Sequence, residues 1–160
     1  MNNTRHKIVC MTATRADYPR VKSVLQEIER RKNLDLSLIV TGMHLEKSFG
    51  LTVQEIEEDG HNIAARVKMY DGDDTPYGMA RAVARVTAGI ADALHDIVPD
   101  IFLITVDRSE TLAAATAGAL MNLPMAHIQG GEVTGTIDES IRHAVTKLSH
   151  IHFPATRDAA

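Results

Sequence analysis

The residues best suited to chemistry lie between Asp107 and His152, most densely in the run His127-Ile-Gln-Gly-Gly-Glu-Val-Thr-Gly-Thr-Ile-Asp-Glu-Ser-Ile-Arg-His143. Asp107, Glu132 and Asp138 supply carboxylates, Arg108 and Arg142 supply fixed positive charge, Gln129 an amide, and His143 an imidazole. Carboxylates among cations suit general acid–base work, because burial and proximity can drive their pKa values apart and so divide the roles. Gly130, Gly131 and Gly135 permit a backbone with φ > 0, or one lying close against a ligand. Earlier in the chain Arg15 and His44 each follow an apolar run. A guanidinium there can grip a phosphate through two parallel hydrogen bonds, and an imidazole can reach a substrate. Each residue also has a purely structural reading. Asp107 would cap the helix that follows it, Asp138 would complement a helix dipole, and Arg142 and His143 would face outward from a helix. Arg15 would form a surface ion pair, and His44 would be a solvated loop residue. The functional reading rests on the coincidence of these residues at one edge.

That edge is set by the elements that carry them. Ile8 to Thr12 reads as a first strand, Leu36 to Val40 as a second, Ile63 to Tyr70 as a third and Asp100 to Val106 as a fourth. Pro124 to Ile128 reads as a fifth and Ile151 to Phe153 as a sixth. Between them come a helix from Pro19 to Arg31 with Val21, Val24, Leu25 and Ile28 on one face, and a short helix from Thr52 to Asp59 closed near Gly60. The clearest helix runs from Met79 to Ile97, where Met79, Val83, Val86, Ile90, Leu94 and Ile97 recur at helical spacing. An alanine-rich helix spans Thr111 to Asn122, and a last one spans 137–149. Thr136 followed by Glu139 is a capping-box pattern, placing Asp138 in a first turn that favours an anion. Ala155 to Ala160 looks like the polar start of a further helix. Strands alternating with helices imply an α/β class: a doubly wound, mainly parallel, Rossmann-like sheet with right-handed crossovers. Every candidate residue then follows the carboxyl end of a strand, where such sheets hold ligands.

Composition narrows the partners. The chain has 160 residues, 44% hydrophobic, enough for one domain with a real core over 1–160. A net charge of −4 and a pI near 6.0 argue against nucleic acid and anionic membrane, which select for a basic face. No apolar run is long enough to span a bilayer, and Met1 to His6 is polar with no signal-peptide core, so a cytoplasmic location is expected. The lone Cys10 sits in an apolar run and reads as a small core residue. Neither a G-x-G-x-x-G dinucleotide fingerprint nor a G-x-x-x-x-G-K-[ST] phosphate loop is present. Asp71-Gly-Asp-Asp-Thr-Pro76 lacks the closing bidentate glutamate of a calcium loop and reads as a solvated turn. His150 and His152 would share one face of a strand but have no third ligand in register, so no metal is expected.

Thr14-Arg-Ala-Asp-Tyr18, Thr41-Gly-Met-His44, Asp107-Arg108 and above all the run from His127 to His150 resemble the hydrolysing UDP-N-acetylglucosamine 2-epimerases of sialic-acid and legionaminic-acid biosynthesis. The similarity extends from the first strand to the end of the chain, and its long run is highly specific. The resemblance implies the N-terminal half of a GT-B arrangement, with a second Rossmann-like domain beyond residue 160 forming the other wall of the cleft. It implies conversion of UDP-N-acetylglucosamine to N-acetylmannosamine plus UDP, through elimination to a glycal and addition of water, with no metal or redox cofactor. By the same resemblance Asp107 and Asp138 fall on acid/base carboxylates, Arg15 on a nucleotide-binding arginine, and Arg108 beside the catalytic aspartate. Gln129 stands at a catalytic position, where many relatives carry glutamate. Val106 stands where glycine usually precedes the aspartate, and Arg20 replaces a frequent lysine. His44, Arg108, Gly131, Glu132, Arg142 and His143 are expected, with Arg15, to bind the substrate. A nucleotide sugar, the second domain and further copies of the chain in a homo-oligomer are the expected partners. The fragment alone is expected to be inactive. A non-catalytic nucleotide-sugar-binding or regulatory domain is the alternative, as is an epimerase acting on a related nucleotide amino sugar. A response-regulator-like module is disfavoured because the first strand lacks its acidic pair.

Overall fold

The apolar runs become parallel strands because most of their side chains are buried beneath flanking helices, the exposed edge run Ile151–Phe153 excepted. The computed structural model describes residues 5–160; the remainder of the polar stretch from Met1 to His6 lies outside the described residues. The strands are β1 (His6–Thr12), β2 (Leu34–Thr41), β3 (Ile63–Val67), β4 (Ile101–Thr105), β5 (Met125–Ile128) and β6 (Ile151–Phe153). All pair in parallel, in the order β3-β2-β1-β4-β5-β6. The helices are α1 (Tyr18–Arg30), α2 (Val53–Glu58), α3 (Pro76–Ile97), α4 (Ser109–Leu120) and α5 (Ile137–Leu148), and single 3-10 turns occupy Gly42–Leu45 and Lys47–Phe49. The order reverses between β1 and β4, so the loops that follow them flank the switch point of a doubly wound sheet.

Strand periodicity divides the core. Along β1, Val9 and Met11 join Ile39, Phe102 and Ile104 in the cluster that packs with α3, α4 and α5. Ile8 and Cys10 point the other way, into the cluster built with α1 and α2. Cys10 is fully buried, and burial pushes its thiol well above the ordinary range, which leaves it an inert core group. On this second side the sheet is only partly covered. Val24, expected to pack in the core, borders an apolar cavity of about 400 Å³ that also touches Leu103, Ile128, Ile151 and Phe153.

Several element ends differ from the pattern in the sequence. Helix α3 begins at Pro76 rather than Met79, because Thr75 caps it: its hydroxyl accepts from the Gly78 N–H at 3.1 Å, and proline fits the first turn. β3 stops at Val67, short of Tyr70. At α5, Thr136 occupies the cap position, but its side chain makes no capping bond. Glu139 reaches back instead to the N–H groups of Thr134 (2.7 Å) and Gly135 (2.6 Å), so the box closes from one side only and fastens the glycine loop to the helix. These backbone bonds hold the Glu139 carboxyl below its usual range. The expected helix beginning near Ala155 does not form within the described residues; 155–160 are bends and turns. His150 precedes β6, and its Nδ1 accepts from the Met125 N–H at 3.2 Å, so it is not aligned with His152 as a ligand pair.

Candidate active site

The loops after β1 and β2 are organised by a carboxylate that never reaches solvent. Asp17 is 2% exposed and accepts from Thr12 Oγ1 (2.7 Å), the Ala13 N–H (3.0 Å) and the Thr14 N–H (3.1 Å). Burial would raise its pKa, but the bonds from His44, Thr12, Ala13 and Thr14 outweigh it and hold the carboxyl below its usual range. His44 Nε2 lies 3.0 Å from Thr12 Oγ1 and its Nδ1 lies 2.7 Å from Thr52 Oγ1. Thr12 gives its only hydroxyl proton to Asp17, so Nε2 is the donor to Thr12. His44 is 1% exposed, and its role differs from the expected substrate contact: it ties the β2 loop to the β1 loop from beneath. Gly42 makes that junction possible, since a Cβ there would lie 2.9 Å from the Ala13 carbonyl oxygen and 3.0 Å from Glu110 Oε1. Arg15 emerges from this support exposed and without an ion pair among the described residues, beside a cavity of about 410 Å³ that Ser48, Phe49 and Thr52 also line.

The other half of the edge is built on α5. Arg142 is 3% exposed and directs Nε (2.9 Å) and Nη2 onto Asp107 Oδ2, while Nη1 donates to the Glu132 carbonyl. Arg142 is therefore neither an outward-facing helix residue nor free to bind a ligand; its donors are taken up in joining β4 to the glycine loop. Asp107 does not cap α4, whose cap position belongs to Arg108. Its Oδ1 has no hydrogen-bond partner among the described residues and is not a buried orphan, so one carboxylate oxygen faces open space. Asp138 lies four residues before Arg142 on the same face of α5, half-buried, with no ion pair or hydrogen bond among the described residues. His143 is exposed. Glu132 and Gly131 line a cavity of about 390 Å³ with Thr156 and Asp158, and the close approach that a side chain at Gly131 would block is to the Ala159 carbonyl.

Two strand ends break in the same way. Val106 after β4 and Gln129 after β5 take left-handed φ values of +59° and +66°. For a β-branched residue such as Val106 this conformation costs on the order of 1–2 kcal/mol, so placing valine where glycine is usual introduces backbone strain. Gln129 Oε1 accepts from Arg20 Nη1 at 2.9 Å, which couples two of the departures in the sequence: the arginine and the amide bond each other. Glu110 went unremarked in the sequence, although it is fully buried under the same edge, accepting from Tyr70 (3.1 Å) and Ser109 (3.0 Å) with Arg108 Nε at 3.6 Å. Burial and the Glu110 charge push the Tyr70 hydroxyl up to about 12. Its first-turn position in a helix concealed it, because an acid there ordinarily reads as a dipole partner.

A family profile described as UDP-N-acetylglucosamine 2-epimerase matches residues 26–160. The chain belongs to this family. Among curated epimerases it is 41% identical over 150 residues to the UDP-N,N'-diacetylbacillosamine 2-epimerase (hydrolyzing) of Legionella pneumophila, covering 94% of this chain and 40% of the relative. It is 39% identical over 153 residues to a UDP-N-acetylglucosamine 2-epimerase of Neisseria meningitidis serogroup B, covering 96% and 40%. The chain thus spans about 40% of the length of these epimerases. A solved Neisseria meningitidis UDP-GlcNAc 2-epimerase bound to UDP-GlcNAc superimposes with a TM-score of 0.83 at 21% identity, over 96% of this chain and 41% of that one, which shows a shared fold. Among the described residues no helix is long and apolar enough to cross a membrane.

Proposed function

We propose that this chain is the N-terminal, acid–base half of a cytoplasmic hydrolysing 2-epimerase that acts on UDP-N-acetylglucosamine. The observation that carries the reading is the Asp107–Arg142 pair: it anchors one carboxylate oxygen, leaves the other open, and has the unpaired Asp138 one helical turn away. In the proposed reaction Asp138 takes the proton from C2 of the sugar as the C1–O bond breaks and UDP departs, leaving a C1–C2 double bond. Water then adds its oxygen at C1, and a proton returns to C2 on the opposite face, giving N-acetylmannosamine. Electrons and atoms balance without a redox partner. Asp107 serves as the second acid–base group, and Gln129, which cannot take a proton from carbon, orients the sugar while Arg20 holds its amide oxygen. Arg15, with Arg108, faces the nucleotide phosphates, where fixed cations offset the charge of the leaving group. The other cleft wall is a second Rossmann-like domain, and the working form is a homo-oligomer.

Similarity of 41% and 39% to epimerases named for two different sugars supports a second substrate, UDP-N,N'-diacetylbacillosamine. Full-length enzyme incubated with each nucleotide sugar in deuterated water distinguishes the readings. UDP release with one deuterium at C2 of the free sugar is expected, and the better substrate has the higher kcat/KM. Nucleotide-sugar binding without UDP release would instead identify a binding domain.

A further inference from the structure

The turn that presents Asp107 adopts a conformation its own residue resists, and one side chain opposes its relaxation. His127 is fully buried on β5. Its Nε2 lies 2.8 Å from the Val106 carbonyl oxygen, and its Nδ1 lies 3.2 Å from Thr146 Oγ1 on α5. A carbonyl can only accept, so Nε2 donates to Val106, and the neutral ring receives the Thr146 hydroxyl proton at Nδ1. Burial, although opposed by the bond to Val106, lowers the pKa of the ring and keeps it in this neutral form. Gly130 leaves the space: a Cβ there would stand 2.8 Å from both His127 Nδ1 and Thr146 Oγ1. The Val106 N–H meanwhile continues the ladder to Ile128 at 3.2 Å, so the strained residue is gripped from β5 at both its amide and its carbonyl.

We propose that His127 is a positioning residue for Asp107: by clamping the Val106 carbonyl to β5 and α5 it keeps the left-handed turn closed and so aims the carboxylate at Arg142 with one oxygen open. This rests on the acid–base reading of Asp107 for its kinetic consequence, but not for its geometry. Asp107 follows Val106 directly, so relaxation of φ toward negative values moves its side chain from the position in which it meets Arg142. A shift of an ångström at a reacting group costs up to about 10²-fold in rate.

The test is a double-substitution cycle in the full-length enzyme. His127→Ala is expected to lower kcat by about ten- to a hundredfold with KM changed by less than about threefold. In a Val106→Gly background the same substitution is expected to cost less than about threefold, because glycine holds a left-handed turn without a clamp. A histidine that merely fills space predicts the reverse, since two truncations enlarge one cavity and their effects accumulate. Thr146→Val, which removes only the hydroxyl that orients the ring, is a milder probe should His127→Ala not fold, and its loss is likewise expected to shrink beside Val106→Gly. Crystal structures of His127→Ala, or of Thr146→Val in its place, supply a readout independent of turnover. The Asp107 carboxylate is expected to leave Arg142 in the single variant and to return when Val106→Gly is added. An Asp107 that stays on Arg142, or a loss undiminished by Val106→Gly, overturns the proposal. A wild-type enzyme inert toward nucleotide sugars removes the proposed function instead, and the crystallographic comparison still decides the role of His127.

Discussion

Asp17 and Asp107 follow the carboxyl ends of neighbouring strands, each within reach of a buried basic side chain, yet one is closed and the other open. Asp17 accepts from a hydroxyl and two backbone N–H groups and faces His44 at 3.7 Å. Asp107 spends one oxygen on Arg142 and leaves the other free. The difference lies in what remains to be bonded. A carboxylate whose acceptor sites are filled by its own chain is a structural bracket, and one left half-filled at the carboxyl edge of the sheet retains capacity for chemistry.

Asp138 gives the sharpest way to break this comparison. It has no partner to lose among the described residues, so Asp138→Asn is expected to leave thermal stability nearly unchanged, within the ~0.3–1 kcal/mol of a helix-dipole effect, while cutting kcat of the full-length enzyme by about 10²–10⁴. A rate within a few-fold of wild type would show that Asp138 serves only the helix dipole. Asp107→Asn is expected to impair both properties, because it also leaves the buried Arg142 unpaired.

Asp17→Ala tests the closed side, and its effect belongs in stability. Stranding the hydroxyl and N–H donors that face Asp17 is expected to cost about 3 kcal/mol by denaturant unfolding. This contribution has a defined pH window. The native carboxyl titrates below the ordinary aspartate range, so the unfolded chain binds the proton first as the solution is acidified. The difference between wild type and Asp17→Ala is therefore intact above the ordinary aspartate range and shrinks as pH falls through and below it. A constant difference through that range would assign the loss to packing.

The smallest expected effect is at Gln129. On the proposed reading Gln129→Ala removes an orienting amide rather than a proton acceptor, so its cost in kcat is expected to stay below about tenfold, less than that of Asp138→Asn. Gln129→Glu would preserve or raise activity, with Arg20 available to the new carboxylate. Steady-state rates of the three variants rank the roles directly.

Local pattern was enough for most of the elements, though not for their ends or for the helix expected from Ala155. The 3.6-residue recurrence of apolar side chains marked α3, and short apolar runs bounded by turn residues marked the strands, most clearly the central ones, because burial on both faces of a parallel sheet leaves a continuous hydrophobic signature. Residue type also singled out Asp107, Asp138, Gln129 and Arg142, and placed them after strand ends. Their duties were another matter. Arg142 and Asp107 lie 35 residues apart, Thr12 and His44 32, and Arg20 and Gln129 109, so no periodicity could report that they meet. Whether a polar side chain faces solvent or is enclosed depends on what distant segments pack around it, and this made His44 a buried brace and Arg142 a clamp. The strain at Val106 is of the same kind. Valine prefers extended backbone, yet Val106 is left-handed with its amide bonded to Ile128 and its carbonyl to His127, both on the neighbouring strand. The sequence determined which chemistry was present and at which edge of the sheet; tertiary packing decided which of those groups are spent on holding the edge together and which stay open.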